Sequence, residues 1–95
     1  MSNFENPFYY LTRRVGEWHV KEFGECSNKR ICRKLLEESA EFMVDKTEEE
    51  AADVLIMLMA WAHRNNVDLL QAARKKFEVV RHRDQAARDI GTDEI

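Results

Sequence analysis

The stretch from Leu35 to Ala62, LLEESAEFMVDKTEEEAADVLIMLMAWA, decides the fold, because two groups of carboxylates stand on either side of a short connection. Its first half has the apolar spacing of a helix with one buried face, and its second half ends in nine consecutive apolar residues. Thr47 followed by Glu50 is a capping-box pattern that begins a helix. The stretch therefore predicts two helices joined by a turn at Lys46 and Thr47, the second of them buried on more than one side.

Helical spacing of apolar residues, bounded by capping residues and glycine, predicts four helices in all. They run from Tyr9 to about Phe23, from Lys29 to Asp45, from Glu48 to about Arg64 and from Leu69 to about Arg88. Ser27 or Asn28 is expected to cap the second, and Asp68 with Gln71 the fourth. Residues 1–8 are expected to be an irregular lead and 89–95 a frayed tail. The expected fold is all-α, a compact antiparallel four-helix bundle in which residues 1–95 form one domain.

The composition indicates the class of protein and the cellular compartment. The chain is 44% hydrophobic and 35% charged, which is typical of a helix-rich globular domain. It has no apolar run long enough to span a membrane and no signal-peptide pattern, so no membrane partner is expected and the protein is predicted to be cytoplasmic. Cys26 and Cys32 are interpreted as reduced thiols, with a zinc site formed by them and His19 as the competing hypothesis.

Two charged segments bear on possible partners. The net charge of −3 argues against a nucleic-acid-binding protein, although the segment from Arg74 to Arg88 carries six Lys or Arg against two acids. From Glu37 to Asp53 there are eight acids against one lysine, a local balance of −7. The acidic segment needs a counter-charge, and a divalent cation is the natural one.

The candidate metal ligands are Glu38 and Glu41 before the turn and Glu50 and Asp53 after it. Each pair is spaced by three residues, which places both side chains on one helix face. Capping alone would explain Glu50, and a solvated surface would explain Glu38 and Glu41. Neither explains Asp53 or the repetition of the pair on adjoining helices. Hard oxygen ligands in this number favour Mg²⁺, with Mn²⁺ as an alternative.

The apolar third helix also predicts self-association. Its side chains are too apolar on all sides for one small core to cover, so Met57, Leu58, Met59 and Trp61 are expected at a subunit interface. A homodimer or homotetramer is the expected state.

These residues resemble the signature of the MazG-like superfamily of all-α nucleoside triphosphate pyrophosphohydrolases, E-x-x-E followed by E-x-x-D. Here the signature reads Glu38-Ser39-Ala40-Glu41 and then Glu50-Ala51-Ala52-Asp53. Further along, Lys76 and Arg83 resemble the ends of the family's K-x-x-x-N-x-x-R segment. The likeness spans roughly residues 15 to 85. Two departures stand out: only eight residues separate Glu41 from Glu50, and Val80 occupies the position of the family's Asn.

The resemblance implies Mg²⁺-dependent hydrolysis of a nucleoside triphosphate to the monophosphate and pyrophosphate. It implies that the four carboxylates bind the metal. Lys76 and Arg83 are the candidates for clamping phosphates, with a solvated helix face as the alternative, and Glu37 either orients the attacking water beside Glu38 or faces solvent. Trp18 is a candidate for stacking on the base, and a place in the helical core is the alternative.

Three other hypotheses stay open from the sequence. They are a phosphoribosyl-ATP pyrophosphatase, a helical nucleotide-binding or oligomerisation module without turnover, and a nucleic-acid-binding helical domain.

Overall fold

The computed structural model describes residues 6–83, and within this range the chain forms four α-helices and no strand. Helix α1 spans Pro7–Phe23, α2 Asn28–Asp45, α3 Glu48–Arg64 and α4 Leu69–Arg81. The prediction of an all-α fold is confirmed. No helix in the described part of the chain is both long enough and apolar enough to cross a lipid bilayer.

Local capping chemistry sets where α1 and α2 begin. The Asn6 side chain accepts a hydrogen bond from the Phe8 amide at 2.8 Å, and Pro7 follows it at the first helical position, so α1 starts two residues before the predicted Tyr9. The prediction of an irregular lead was therefore wrong for residues 7 and 8, while residues 1–5 lie outside the described range. Ser27 caps α2 by accepting from the Arg30 amide at 3.2 Å.

Helix α3 has the bounds that the sequence predicted. The Thr47 hydroxyl accepts from the Glu50 amide at 3.2 Å, as expected of an N-cap. Before it, Lys46 ends α2 in the left-handed conformation with φ 52°, and its amide donates to the Phe42 carbonyl. The resulting connection of two residues turns α3 directly back along α2.

The core lies around α3, which packs against α1 on one side and α2 on another. Ile31, Met59, Ala60 and Ala62 are each at most 1% exposed. Gly16 permits the close approach of α1, because a Cβ atom at this position would lie 2.0 Å from Cγ of His63 on α3. Two helical neighbours thus cover much of the apolar surface of α3, while Leu55 stays 39% exposed.

This packing corrects one step of the sequence interpretation. Met57 and Met59 are buried within a single chain, and Leu58 and Trp61 are half-buried, so covering Met57 and Met59 needs no second subunit. The large apolar side chains that remain exposed lie mostly elsewhere. Among them are Leu36, Met43 and Val44 on α2, and Phe77 and Val79 on α4, all more than half exposed.

Helix α4 contributes no buried residue and ends earlier than predicted. Asp68 caps it as expected, by accepting from the Gln71 amide at 3.0 Å, and also accepts from the Tyr9 hydroxyl. At the other end, the His82 and Arg83 amides donate to carbonyls three residues back, which closes the helix in a turn well before Arg88. Residues 84–95, including the predicted tail, lie outside the described range.

Helix α4 has half-buried residues, Leu69, Leu70 and Val80, but no fully buried one. The predicted compact arrangement is therefore seen for α1, α2 and α3, whereas α4 packs less closely.

Candidate functional site

Three of the four predicted metal ligands converge at one place between α2 and α3. Glu38 comes from the middle of α2, and Glu50 and Asp53 from the first two turns of α3. One carboxylate oxygen from each lies within 4.8 Å of the others. The short connection produces this arrangement, because it sets the carboxylates of two antiparallel helices side by side. We call Glu38, Glu50 and Asp53 the carboxylate cluster.

The cluster is partly withdrawn from solvent and incompletely satisfied. Glu38 is only 9% exposed, and Glu50 and Asp53 are half-buried. One oxygen of Glu38 and one of Glu50, Oε2 in each case, is buried without a hydrogen-bond partner among the described residues. Buried polar atoms are nearly always paired, so two orphaned acceptors at one point are free to accept from a bound donor or to ligate a cation.

The pKa shifts of the carboxylates also favour a bound cation. Loss of hydration raises the pKa of Glu50, and the nearby charges of Glu41 and Asp53 raise it further. The negative charge of Glu38 raises the pKa of Glu41. A cation bound at the cluster would reverse these shifts, because it would favour the ionised carboxylates.

Glu41, the fourth predicted ligand, is exposed and borders the cluster without belonging to its closest group of three. The negative charges of Glu38 and Asp53 both raise the pKa of Glu41. It is therefore available as an additional ligand from the solvent side.

The donor set fits a hard divalent cation. Oxygens around an octahedral Mg²⁺ lie about 3–4 Å apart, and the cluster spans no more than 4.8 Å. Within residues 6–83 it is the only group of three or more His, Cys, Asp and Glu side chains close enough to hold a metal. The competing zinc site of Cys26, Cys32 and His19 does not form such a group.

A cavity of 410 Å³ opens beside the cluster and is shared by α1, α2 and α3. Its walls divide into aromatic, cationic, acidic and apolar parts. They are formed by Trp18, His19 and Phe23; by Arg30, Arg33 and Lys34; by Glu37, Glu38 and Asp53; and by Cys26, Ile31, Ile56 and Met57. A volume of this size suits a small organic ligand with both apolar and anionic parts.

The cationic wall was missed at the sequence level. Arg30, Arg33 and Lys34 have the spacing i, i+3 and i+4, which places them on one face of α2. Lys34 Nζ lies 3.3 Å from Glu38 Oε1 and 3.4 Å from Glu37 Oε2. Hydrogen bonding to Glu38 raises the pKa of Lys34. The spacing was the available signal, and it was overlooked because the richer group of cations lies on α4.

The aromatic wall contains an edge-to-face pair of rings. The rings of Trp18 and Phe23 meet edge to face with their centroids 5.9 Å apart, and Trp18 remains 50% exposed.

His19, the third residue of this wall, is held by Arg64. Arg64 Nε donates to His19 Nδ1 at 3.2 Å. Because arginine has no acceptor, this contact leaves the His19 proton on Nε2. Burial lowers the pKa of His19, and the charges of Arg64 and Arg30 add to the effect.

The structure does not bring Lys76 and Arg83 to this cavity. Lys76 lies on α4 and Arg83 just beyond it, both are exposed, and neither lines the cavity within one chain. By contrast Trp18, Glu37, Glu38 and Asp53 line it together.

Comparison of the chain with models of protein families, with curated proteins and with solved structures found no match.

Proposed function

We propose that this chain is a Mg²⁺-dependent nucleoside triphosphate pyrophosphohydrolase that converts a nucleoside triphosphate to the monophosphate and pyrophosphate. The observation that carries the proposal is the pair of orphaned, buried oxygens on Glu38 and Glu50, next to a cavity with one aromatic and one cationic wall. A nucleoside triphosphate combines the chemistry that these walls select: an aromatic base and a polyanionic chain that carries a divalent cation.

Glu38, Glu50 and Asp53 would hold the cation, with Glu41 as a further ligand. Bound there, Mg²⁺ supplies charge neutralisation of the phosphates and acidification of a water molecule. The fit rests on the donor set and on the unsatisfied oxygens, both of which favour a hard cation over zinc.

The protein side chains would bind the base and accept the proton of the attacking water. Trp18 is half exposed at the cavity and would stack on the base. Glu37 also lines the cavity and would accept the proton of the attacking water. The water oxygen forms a bond to the α-phosphorus, the bond from that phosphorus to the bridging oxygen breaks, and pyrophosphate leaves with the electron pair. We retain Lys76 and Arg83 as phosphate ligands only in an assembly that brings α4 of a second copy to the cavity.

Two finer features belong to the same proposal. The exposed apolar side chains of α2 and α4 support a homodimer or homotetramer with the architecture of the MazG-like enzymes. The free thiols of Cys26 and Cys32 suit the reducing cytoplasm, where nucleoside triphosphates are abundant.

The test is a product assay over a panel of canonical and modified nucleoside triphosphates, with phosphoribosyl-ATP included, in Mg²⁺ and in EDTA. We expect pyrophosphate and monophosphate in Mg²⁺ only, and loss of turnover in Glu38→Gln. Glu49→Gln is the matched control, because Glu49 is an exposed acid on α3 outside the cluster. Diphosphate with free phosphate as products would contradict attack at the α-phosphorus. Nucleotide binding without turnover would instead indicate a non-catalytic nucleotide-binding module.

A further inference from the structure

The cationic wall of the cavity has a role that the MazG-like resemblance does not assign, since the resemblance places the phosphate ligands on α4. Arg30, Arg33 and Lys34 all line the cavity from α2. From Arg30 to Glu38 this helix rises about 12 Å, so the row leads along one wall toward the carboxylate cluster. Burial, and after it the charges of Arg64 and Arg30, lower the pKa of His19 on the aromatic wall.

Two of these cations have no local counter-charge. Arg30 and Arg33 form no ion pair with any side chain in residues 6–83, and both are exposed at the cavity. Guanidinium groups on one helix face repel each other, and a bidentate anion such as a phosphate group offsets that repulsion.

Lys34 differs from Arg30 and Arg33, because it lies between the cationic wall and the carboxylate cluster. Its ammonium group contacts Glu38 Oε1 at 3.3 Å, while Glu38 Oε2 stays buried and unpaired. Lys34 thus supplies a cation to a carboxylate that we assign to the metal. Glu38 cannot fully satisfy both the Lys34 ammonium group and a metal ion at once. An ammonium group beside this carboxylate weakens its attraction for a second cation.

The side chain of Lys34 reaches solvent. It is 52% exposed, and its other contact is with Glu37, which is itself 56% exposed. A flexible four-carbon stem on the surface changes partner at little cost.

We propose that Arg30, Arg33 and Lys34 bind the phosphate chain of the nucleotide, and that Lys34 leaves Glu38 for a phosphate oxygen when the cation and nucleotide bind. Before binding, Lys34 is the resident counter-ion of Glu38. Afterwards the divalent cation takes that role, and the ammonium group is released to the polyphosphate. This inference rests on the proposed function and identifies α2 as its phosphate-binding element.

The test measures two affinities of Lys34→Met by calorimetry: that for Mg²⁺ alone, and that for an α,β-imido nucleoside triphosphate in saturating Mg²⁺. We expect the two to change in opposite directions. Mg²⁺ alone should bind more tightly, because its competitor at Glu38 has gone, whereas the nucleotide analogue should bind about tenfold or more weakly, because a charge-assisted hydrogen bond is lost. Arg33→Gln should weaken the analogue and leave the Mg²⁺ affinity of the free protein unchanged.

Lys29→Met is the matched control, since Lys29 is an exposed lysine on the same helix that does not line the cavity. It should change neither affinity appreciably. If Lys34→Met weakens both affinities, Lys34 merely supports Glu38 and the exchange is refuted. An unchanged affinity for the analogue would refute the phosphate contact. If the wild-type protein binds neither Mg²⁺ nor any nucleotide, the proposed function fails and this inference fails with it.

Discussion

Asp53→Asn separates a metal ligand from a structural acid, because the two roles predict opposite effects on stability. The substitution keeps the size of the side chain and removes one negative charge. In the metal-free protein, the Asp53 carboxylate lies within 4.8 Å of oxygens from Glu38 and Glu50, and no cation contacts it directly among the described residues. Losing that charge relieves repulsion, so the melting temperature in EDTA should be unchanged or higher.

In the presence of Mg²⁺, the wild type should have the higher melting temperature of the two proteins. A cation at a hundred times its dissociation constant stabilises the wild type by about 2.7 kcal/mol. For a domain of this size that free energy corresponds to a rise in melting temperature of about 10–20 °C. The variant lacks one of the three converging carboxylates and should show little of this rise.

Differential scanning fluorimetry in EDTA and in a series of Mg²⁺ concentrations measures both effects. Glu49→Gln provides the control, because it removes a charge from the same helix turn as Glu50 without touching the cluster, and its Mg²⁺ response should match the wild type. A lower melting temperature for Asp53→Asn in EDTA, combined with a full response to Mg²⁺, would refute the reasoning. It would mean that Asp53 is paired with a cation inside the fold.

Three further predictions concern the fold. Met59→Ala should lower the free energy of unfolding by about 2–5 kcal/mol in urea titrations, whereas Met43→Ala should change it by less than about 0.5 kcal/mol, because Met59 is 1% and Met43 70% exposed. The lowered pKa of His19 means that the unfolded chain takes up its proton first as the pH falls below 6.5, so stability should decrease from pH 7 to 5.5, and less so in His19→Asn. Light scattering at micromolar concentration should give a dimer or tetramer, and a mass of about 11.2 kDa would contradict the oligomer.

The features that the sequence predicted well are those encoded locally. Both ends of α3 were predicted, because Thr47 with Glu50 and the polar residues after Arg64 are strong boundary signals. The start of α1 was not predicted, although Asn6 before Pro7 is a cap of the same kind, because helical apolar spacing becomes regular only from Tyr10 onward. The carboxylate cluster was predictable since its spacing on each helix and the short connection together determine where the side chains meet.

The features that the sequence did not predict depend on which faces of the helices pack together. The apolar surface of α3 suggested a partner subunit, and the structure covers much of it with α1 and α2 of the same chain. Helix α4 has a well-defined amphipathic pattern yet buries no residue, so periodicity alone did not predict its packing. The contact of Lys34 with Glu38 is local to α2 and could be predicted from its i, i+4 spacing, whereas the cavity that Arg33 and Lys34 line together with α1 and α3 follows only from the tertiary arrangement.

Anomalous diffraction from crystals grown with Mn²⁺ tests the assignment of the metal site most directly. Mn²⁺ accepts the same oxygen ligands as Mg²⁺ and scatters anomalously, so its position is observed without reference to activity. A single dominant peak within bonding distance of Glu38, Glu50 and Asp53 is the predicted result, with the side chain of Lys34 displaced from Glu38. Mn²⁺ bound only elsewhere, or a cluster that stays empty at saturating Mn²⁺ with the contact between Lys34 and Glu38 intact, would contradict it.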